Sequence, residues 1–340
     1  IGFYYGEIKK DETHHRIKKN FNKFFYVNDL DDEEILNLSL ENKIDIAIYR
    51  AGLTVNARSS IFSKKIAPIQ VNFLGYQGTT GQEGIDYIVA DEYVIPKNQE
   101  NFYTENIIYL PGSYFPRDNN RIIGKKKFTR KDLKISENSF VFCNFNNSYK
   151  ITSEEFEIWM KLLQKIDNSI LLLLETNNEM KKNLYFEAEK FKINNDRIVF
   201  IKKTIFEDHL SRHSLADLFL DTFNYNAHTT AVDALWTGLP IITKPGNSFS
   251  SRVCGSLLKF FDLDELILKN KDEYYNKALE LAENPHKLKA IKNKIVKLRD
   301  SNKYFDPKNY TLNLEKAYKK IHSMRVNENK FENIHIKDIE

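Results

Sequence analysis

The side chains of this chain that could do chemistry gather most densely in residues 225–258, Y-N-A-H-T-T-A-V-D-A-L-W-T-G-L-P-I-I-T-K-P-G-N-S-F-S-S-R-V-C-G-S-L-L. Val232, Leu235 and Trp236 fall three and four apart, the stripe of a helix facing a core, and Gly238-Leu239-Pro240 stops that helix. Asn226 and Thr229 are the expected N-caps. The helix would open on His228, Thr229 and Thr230, with unpaired backbone N–H groups, two hydroxyls and an imidazole at its positive end. Such an end seats a phosphate or diphosphate. Asp233, four residues after Thr229, could accept hydrogen bonds from a ribose or simply satisfy the helix start. A capped core helix with His228 bonded to backbone accounts for the same residues, so local chemistry leaves both readings open.

Three further groups stand out. Lys150 ends the segment N-F-N-N-S-Y-K just past an expected strand, where an ammonium can neutralise a departing diphosphate without a metal. Taken alone, a lysine before a helix is usually a solvated one. His209 and Arg212 sit three apart on one face of a short helix, as nucleotide contacts or as surface residues. Gly75, Gly78 and Gly81, with Thr79 among them, allow close backbone approach to a ligand, although glycine loops are common. Asp29-Leu30-Asp31 and Asp262-Leu263-Asp264 could hold a divalent metal, but both precede expected helices, where Asp is an ordinary cap. A G-x-S-x-G elbow is absent, and so is a G-x-G-x-x-G at a strand-to-helix turn, which leaves hydrolase and dehydrogenase readings without support.

These motifs closely resemble those of glycosyltransferase family 41, the O-GlcNAc transferase family. The resemblance rests on His228, Thr229, Thr230, Asp233, Leu235, Trp236, Pro245, Gly246, Ser251, Arg252 and Val253 in one run. It extends to Ala67, Pro68, Ile69, Gln70, Leu74, Gly75, Tyr76, Gly78, Thr79 and Gly81, followed by Asp86-Tyr87-Ile88 and Asp91. Gln77 replaces the family's usual proline in that loop. C-N-F-N-x-x-Y-K-I from Cys143 to Ile151, and E-x-H-x-x-R from Glu207 to Arg212, complete it. The resemblance implies an α/β protein of GT-B architecture, with two Rossmann-like doubly wound domains facing a cleft and C-terminal helices. It implies inverting transfer of a sugar, most simply N-acetylglucosamine from UDP, to Ser/Thr hydroxyls of a protein acceptor. Lys150 would be catalytic. His228, Thr229 and Thr230 would hold the diphosphate, Asp233 the ribose, and His209 with Arg212 the nucleotide, while the sugar would face the loop of Gly75, Gly78 and Thr79. The UDP-sugar is a co-substrate; no further cofactor and no metal ion are implied. Phe206 stands where the animal enzymes carry a lysine. No histidine stands near Tyr26, ahead of Asp29-Leu30, so no general base is assigned. UDP-glucose or GDP-fucose as donor, and a non-catalytic nucleotide-sugar-binding fragment, remain as alternatives.

Around these groups the sequence alternates strands with helices, the pattern of parallel sheets. Strands are expected at residues 1–6, 44–49, 69–74, 85–90, 140–145, 169–175, 197–202, 218–221 and 240–243, and helices at 31–40, 153–165, 178–191, 207–212, 229–237, 250–259 and across 272–324. The expected domains are a partial N-terminal unit over 1–124, a linker over 125–135, a nucleotide-sugar-binding unit over 136–325 and a frayed polar tail over 326–340. With 41% apolar and 29% charged residues in 340, the composition is that of a soluble globular chain. No apolar run approaches the ~20 residues that span a bilayer, so no membrane partner is expected. A net charge of +4, with Lys125-Lys126-Lys127 its densest basic run, gives no nucleic-acid module. Two distant cysteines, Cys143 and Cys254, fit a reducing cytoplasm. The chain opens on Ile1 without a leader, as a segment of a longer protein would, and contains no ~34-residue repeat.

Overall fold

Strands of two to six residues alternate with helices, and every strand pair among the described residues is parallel, since each connection crosses a sheet face before the next strand is laid down. The structure, a computed structural model, describes residues 1–8, 11–301 and 303–338. One unit comprises Ile1–Ala90, Lys97–Leu110 and Leu314–Asp338; the other is built on Asp91–Pro96 and Pro111–Asn313.

The first unit begins with β1 (Gly2–Tyr4), α1 (Glu12–Lys19), β2 (Phe24–Tyr26), α2 (Asp32–Glu41), β3 (Ile46–Tyr49), α3 (Ser60–Ser63), β4 (Ile69–Asn72), β5 (Tyr87–Ala90) and β6 (Asn106–Tyr109). β1 and β2 form a two-stranded sheet, and β3 to β6 lie in sequential order in a larger one. β4 and β5 are buried at every position, as inner strands covered on both faces must be. Asp31 caps α2 reciprocally with Glu34, so this D-x-D string serves the helix as expected. Asp262 does not cap a helix: it accepts the Tyr304 hydroxyl at 2.5 Å from a left-handed position with φ 54°. Val27, Ile35, Tyr49, Phe62 and Ile66 form the core under the larger sheet's β3 end.

The second unit contains β7 (Phe140–Asn144), α4 (Ser153–Lys165), β8 (Ser169–Leu174), α5 (Asn178–Lys190), β9 (Ile198–Ile201), α6 (Phe206–Ser211), β10 (Leu218–Leu220), α7 (Thr229–Thr237), β11 (Ile241–Ile242), α8 (Val253–Phe260), α9 (Lys271–Glu283) and α10 (Pro285–Asp300). Its strand order is β11-β10-β7-β8-β9. The chain therefore runs outward from β7 in one direction and from β10 in the other, and the order reverses between those two neighbours. Ligands bind outside the carboxyl ends of strands at such a switch point. Both tryptophans lie on helices, with Trp159 fully buried and Trp236 partly so. No helix among the described residues is long and apolar enough to cross a membrane.

The end of the chain departs from expectation. After α11 (Pro307–Glu328), β12 (Ile334–His335) pairs in parallel with β6 and extends the first unit's sheet to β12-β6-β5-β4-β3. The tail is thus not frayed: Ile334 and Ile336 alternate onto a buried face, and Asn333 Oδ1 accepts the Ile107 N–H at 2.8 Å. A unit ending at 325 is corrected accordingly, because the last strand belongs with the first unit. Residues 111–124 likewise group with the second unit, where buried Arg117 donates to the carbonyls of Ser113, Phe115 and Tyr304. Within the expected linker, Lys125, Lys126 and Lys127 are exposed, whereas Arg130 pairs with Asp217 at 2.7 Å.

Candidate functional site

At the carboxyl end of β10 the chain must turn sharply into α7, and a buried carboxylate organises the turn. Asp221 accepts hydrogen bonds from Thr222 N–H at 2.8 Å, Ala227 N–H at 2.6 Å and the Thr243 hydroxyl at 2.7 Å. Burial pushes Asp221 up to about 6, against these hydrogen bonds and the nearby charge of Lys150. Asn226 Nδ2 closes the same loop on Thr222 O at 2.7 Å. The loop's outer rim then receives Lys150, which follows β7: its Nζ donates to Asn226 O at 3.0 Å and lies 3.9 Å from the Tyr225 ring centroid. Burial lowers Lys150 to about 8, and Asp221 opposes that shift.

His228, rather than Asn226 or Thr229, is the N-cap of α7, and no side chain caps the helix. Thr229 and Thr230 are its first helical residues, and their N–H groups precede any intrahelical acceptor. His228 Nε2 donates to Ser250 O at 3.0 Å, which assigns the tautomer, and the ring stacks on Tyr225 with centroids 4.7 Å apart. Burial first, and Lys150 second, hold His228 down at about 3, so the imidazole is neutral. The Thr230 hydroxyl donates to Asn146 Oδ1 at 2.5 Å, while Thr229 is exposed. The groups offered to an anion at this corner are therefore the two leading N–H groups, the Thr229 hydroxyl and the Lys150 ammonium. His228 shapes the corner and brings no charge to it.

One turn along α7, Asp233 pairs with Arg121, and its other oxygen lies 3.9 Å from His209 Nε2. Burial pushes Asp233 up to about 6, with Arg121 acting in the opposite direction. His209 Nδ1 accepts from Arg212 at 2.8 Å, and Arg212 is held in turn by Lys202 O at 2.5 Å. His209 is lowered to about 4 by burial and by Arg212, so it faces Asp233 as a neutral ring. His213 lies beneath, donating from Nδ1 to His209 O at 2.8 Å, and burial lowers it to about 3.

Seven of the expected site residues thus fall into two adjoining clusters of the second unit: Lys150, His228, Thr229 and Thr230 at the start of α7, and His209, Arg212 and Asp233 beside its second turn. Gly75, Gly78 and Thr79 lie in the first unit, on the loop after β4. A Cβ on Gly75 would meet Arg50 O at 1.7 Å, so this glycine answers to the chain's own backbone; Gly78 has room for a side chain. The Thr79 hydroxyl is engaged by buried Glu105 at 2.6 Å, and Thr80 N–H and hydroxyl bond the same carboxylate at 2.7 Å. Gln77 closes the turn by donating to Leu74 O at 2.7 Å. Sequence reasoning missed Arg121 and the organising part of Asp221. Among the described residues, no group of three or more His, Cys, Asp or Glu side chains could hold a metal ion.

The chain is similar to known proteins of one family. The model of glycosyl transferase family 41 matches residues 3–128 and 127–314. A probable UDP-N-acetylglucosamine–peptide N-acetylglucosaminyltransferase SEC of Arabidopsis thaliana is 35% identical over 318 residues, 91% of this chain and 32% of that protein. A UDP-N-acetylglucosamine–peptide N-acetylglucosaminyltransferase of Caenorhabditis elegans is 26% identical over 386 residues, 81% of this chain and 34% of that protein. Among solved structures, a Thermobaculum terrenum O-GlcNAc transferase mutant superposes with a TM-score of 0.86 and 25% identity, over 94% of this chain and 61% of that one. The architecture is GT-B. The chain spans about a third of the length of these curated relatives.

Proposed function

The chain belongs to glycosyl transferase family 41, and on that premise we propose that it transfers a sugar from a UDP conjugate, most simply N-acetylglucosamine, to Ser/Thr hydroxyls of protein acceptors. The acceptor oxygen attacks the anomeric carbon as the bond to the diphosphate breaks, inverting that carbon and releasing UDP, while the hydroxyl proton is lost to solvent. The second unit's residues act on the departing side. The leading N–H groups of α7 and the Thr229 hydroxyl hold the diphosphate, and the helix dipole favours its charge. Lys150 neutralises the negative charge that develops on the leaving oxygen, the largest kind of contribution a preorganised site makes. This reading needs no metal ion. Thr230 and His228 fix the corner through Asn146 and Ser250. Asp233 accepts the ribose hydroxyls, with His209 and Arg212 behind it. Two free, buried thiols, Cys143 and Cys254, support a cytoplasmic setting.

The observation that carries this reading is the half-buried Lys150 ammonium, held by Asn226 O beside an uncapped helix start. Calorimetric titration with UDP and GDP in EDTA, on wild type and Asp233→Ala, tests it. The expected result is metal-free binding of UDP in preference to GDP, weakened by Asp233→Ala. Absence of UDP binding by the wild-type chain would overturn it.

A further inference from the structure

One guanidinium of the second unit stands outside the roles assigned above. Arg121 lies on an irregular stretch tied down at two points: its carbonyl accepts Trp236 Nε1–H at 3.1 Å, and Gly124 N–H donates to Glu207 O at 2.9 Å. The stretch therefore runs between α7 and α6 and lays the Arg121 side chain, 13% exposed, against both. Nη1 pairs with Asp233, and the guanidinium carbon lies 5.5 Å from the centroid of the Phe206 ring. Nε is buried and has no hydrogen-bond partner among the described residues. An arginine fork ordinarily offers a carboxylate two parallel N–H groups. Here Asp233 takes one, and its other oxygen lies near His209. A buried N–H left over in this way costs free energy until an acceptor arrives.

We propose that Arg121 is a donor-binding residue: it holds the Asp233 carboxylate in place for the ribose hydroxyls and gives its Nε–H to an oxygen of the same nucleoside. The proposal rests on the nucleotide-site reading above. Phe206 supplies the apolar platform that keeps the guanidinium plane in register. The charged and titratable groups facing Asp233 are Arg121 and His209, and His209, lowered to about 4, is neutral at working pH.

The test is UDP affinity of the 340-residue chain between pH 5.5 and 8, by calorimetry, for wild type, Arg121→Gln, Arg121→Lys and Asp233→Ala. Titration of UDP itself is common to all four curves. Arg121→Gln is expected to weaken UDP roughly 10- to 100-fold at pH 7, the scale of one charge-assisted hydrogen bond. It also removes the cation that opposes the effect of burial on Asp233. The carboxylate should then be lost at higher pH, and the acid limb of the affinity curve should move up. Arg121→Lys should restore the limb without restoring full affinity, because an ammonium lacks the planar fork. If Asp233→Ala weakens UDP while Arg121→Gln moves neither affinity nor limb, the proposal falls and the nucleotide site stands. Weaker binding with an unmoved limb also overturns it, since Arg121 would then be a packing residue only. Tighter binding overturns it as well, by making Arg121 a competitor of the nucleotide. Should Arg121→Gln fail to fold, Arg121→Lys carries the test, and wild-type affinity in that variant overturns the proposal.

Discussion

Lys150 is charged in a place that works against its charge. Burial pulls it down to about 8, and Asp221 is the group that opposes the shift. A diphosphate seated at the start of α7 would supply the missing counter-charge, so nucleotide and ammonium should stabilise one another. The sign follows directly. The lowered lysine is protonated below about pH 8 and neutral above it, so UDP affinity is expected to fall as pH rises through that value, whereas affinity for uridine, which has no phosphate, should stay level. Calorimetry across pH 7 to 9 on wild type and Lys150→Met reads both, and a level UDP curve in the wild type would count against the assignment. In turnover, Lys150→Ala should slow transfer roughly 10²–10³-fold, the scale of one lost preorganised charge stabiliser; unchanged turnover would remove Lys150 from the mechanism. Local pattern put Lys150, His228 and Asp233 at a strand end or helix start, but it was the family resemblance that chose a nucleotide role for them over a solvated or capping one. Arg121 gave no such signal, since its partner is 112 residues away and nothing local marks it.

The site depends on one helix start, and that helix start depends on one buried carboxylate. Removing Asp221 leaves Thr222 N–H, Ala227 N–H and the Thr243 hydroxyl without their acceptor inside the unit. Each orphaned donor costs ~1–3 kcal/mol. Asp221→Ala is therefore expected to lower the urea midpoint of unfolding and to weaken UDP binding together, since the same loop carries Asn226 O to Lys150. A variant that lost affinity at unchanged stability would mean that Asp221 serves the ligand rather than the loop. Helices of this unit were legible because apolar residues recur at helical spacing over eight or more positions, as in α4 and α7. The N-cap of α7 was not, because His228 takes that position with its side chain turned to Ser250. Strands β2, β6 and β12 were also missed. They have two to four residues each, and at that length pairing with a neighbouring strand decides the conformation more than propensity does.

The first unit gathers its sheet from both ends of the described chain, for β12 joins β6 some 220 residues later in sequence than the strand it pairs. The polar composition of residues 326–340 concealed this: only Ile334 and Ile336 are apolar in the final segment that pairs, yet both are buried. Two buried isoleucines contribute about 3–6 kcal/mol by area burial, an upper figure because the unfolded chain already hides part of that surface. Ending the chain after Glu328 also leaves Ile107 N–H without Asn333 Oδ1 and opens the β6 edge to solvent. Against a domain stability of about 5–15 kcal/mol, that is a large share. Truncation there should lower the first unit's melting temperature by several degrees and increase its tendency to aggregate through the bared strand. UDP affinity should be unchanged, because every residue proposed to contact the nucleotide lies in the second unit. Thermal unfolding followed by circular dichroism, with UDP calorimetry on the same truncated chain, separates the two effects. An unchanged melting profile would show that β12 adds little to its sheet, and a loss of UDP binding would mean that the nucleotide site draws on the first unit's stability.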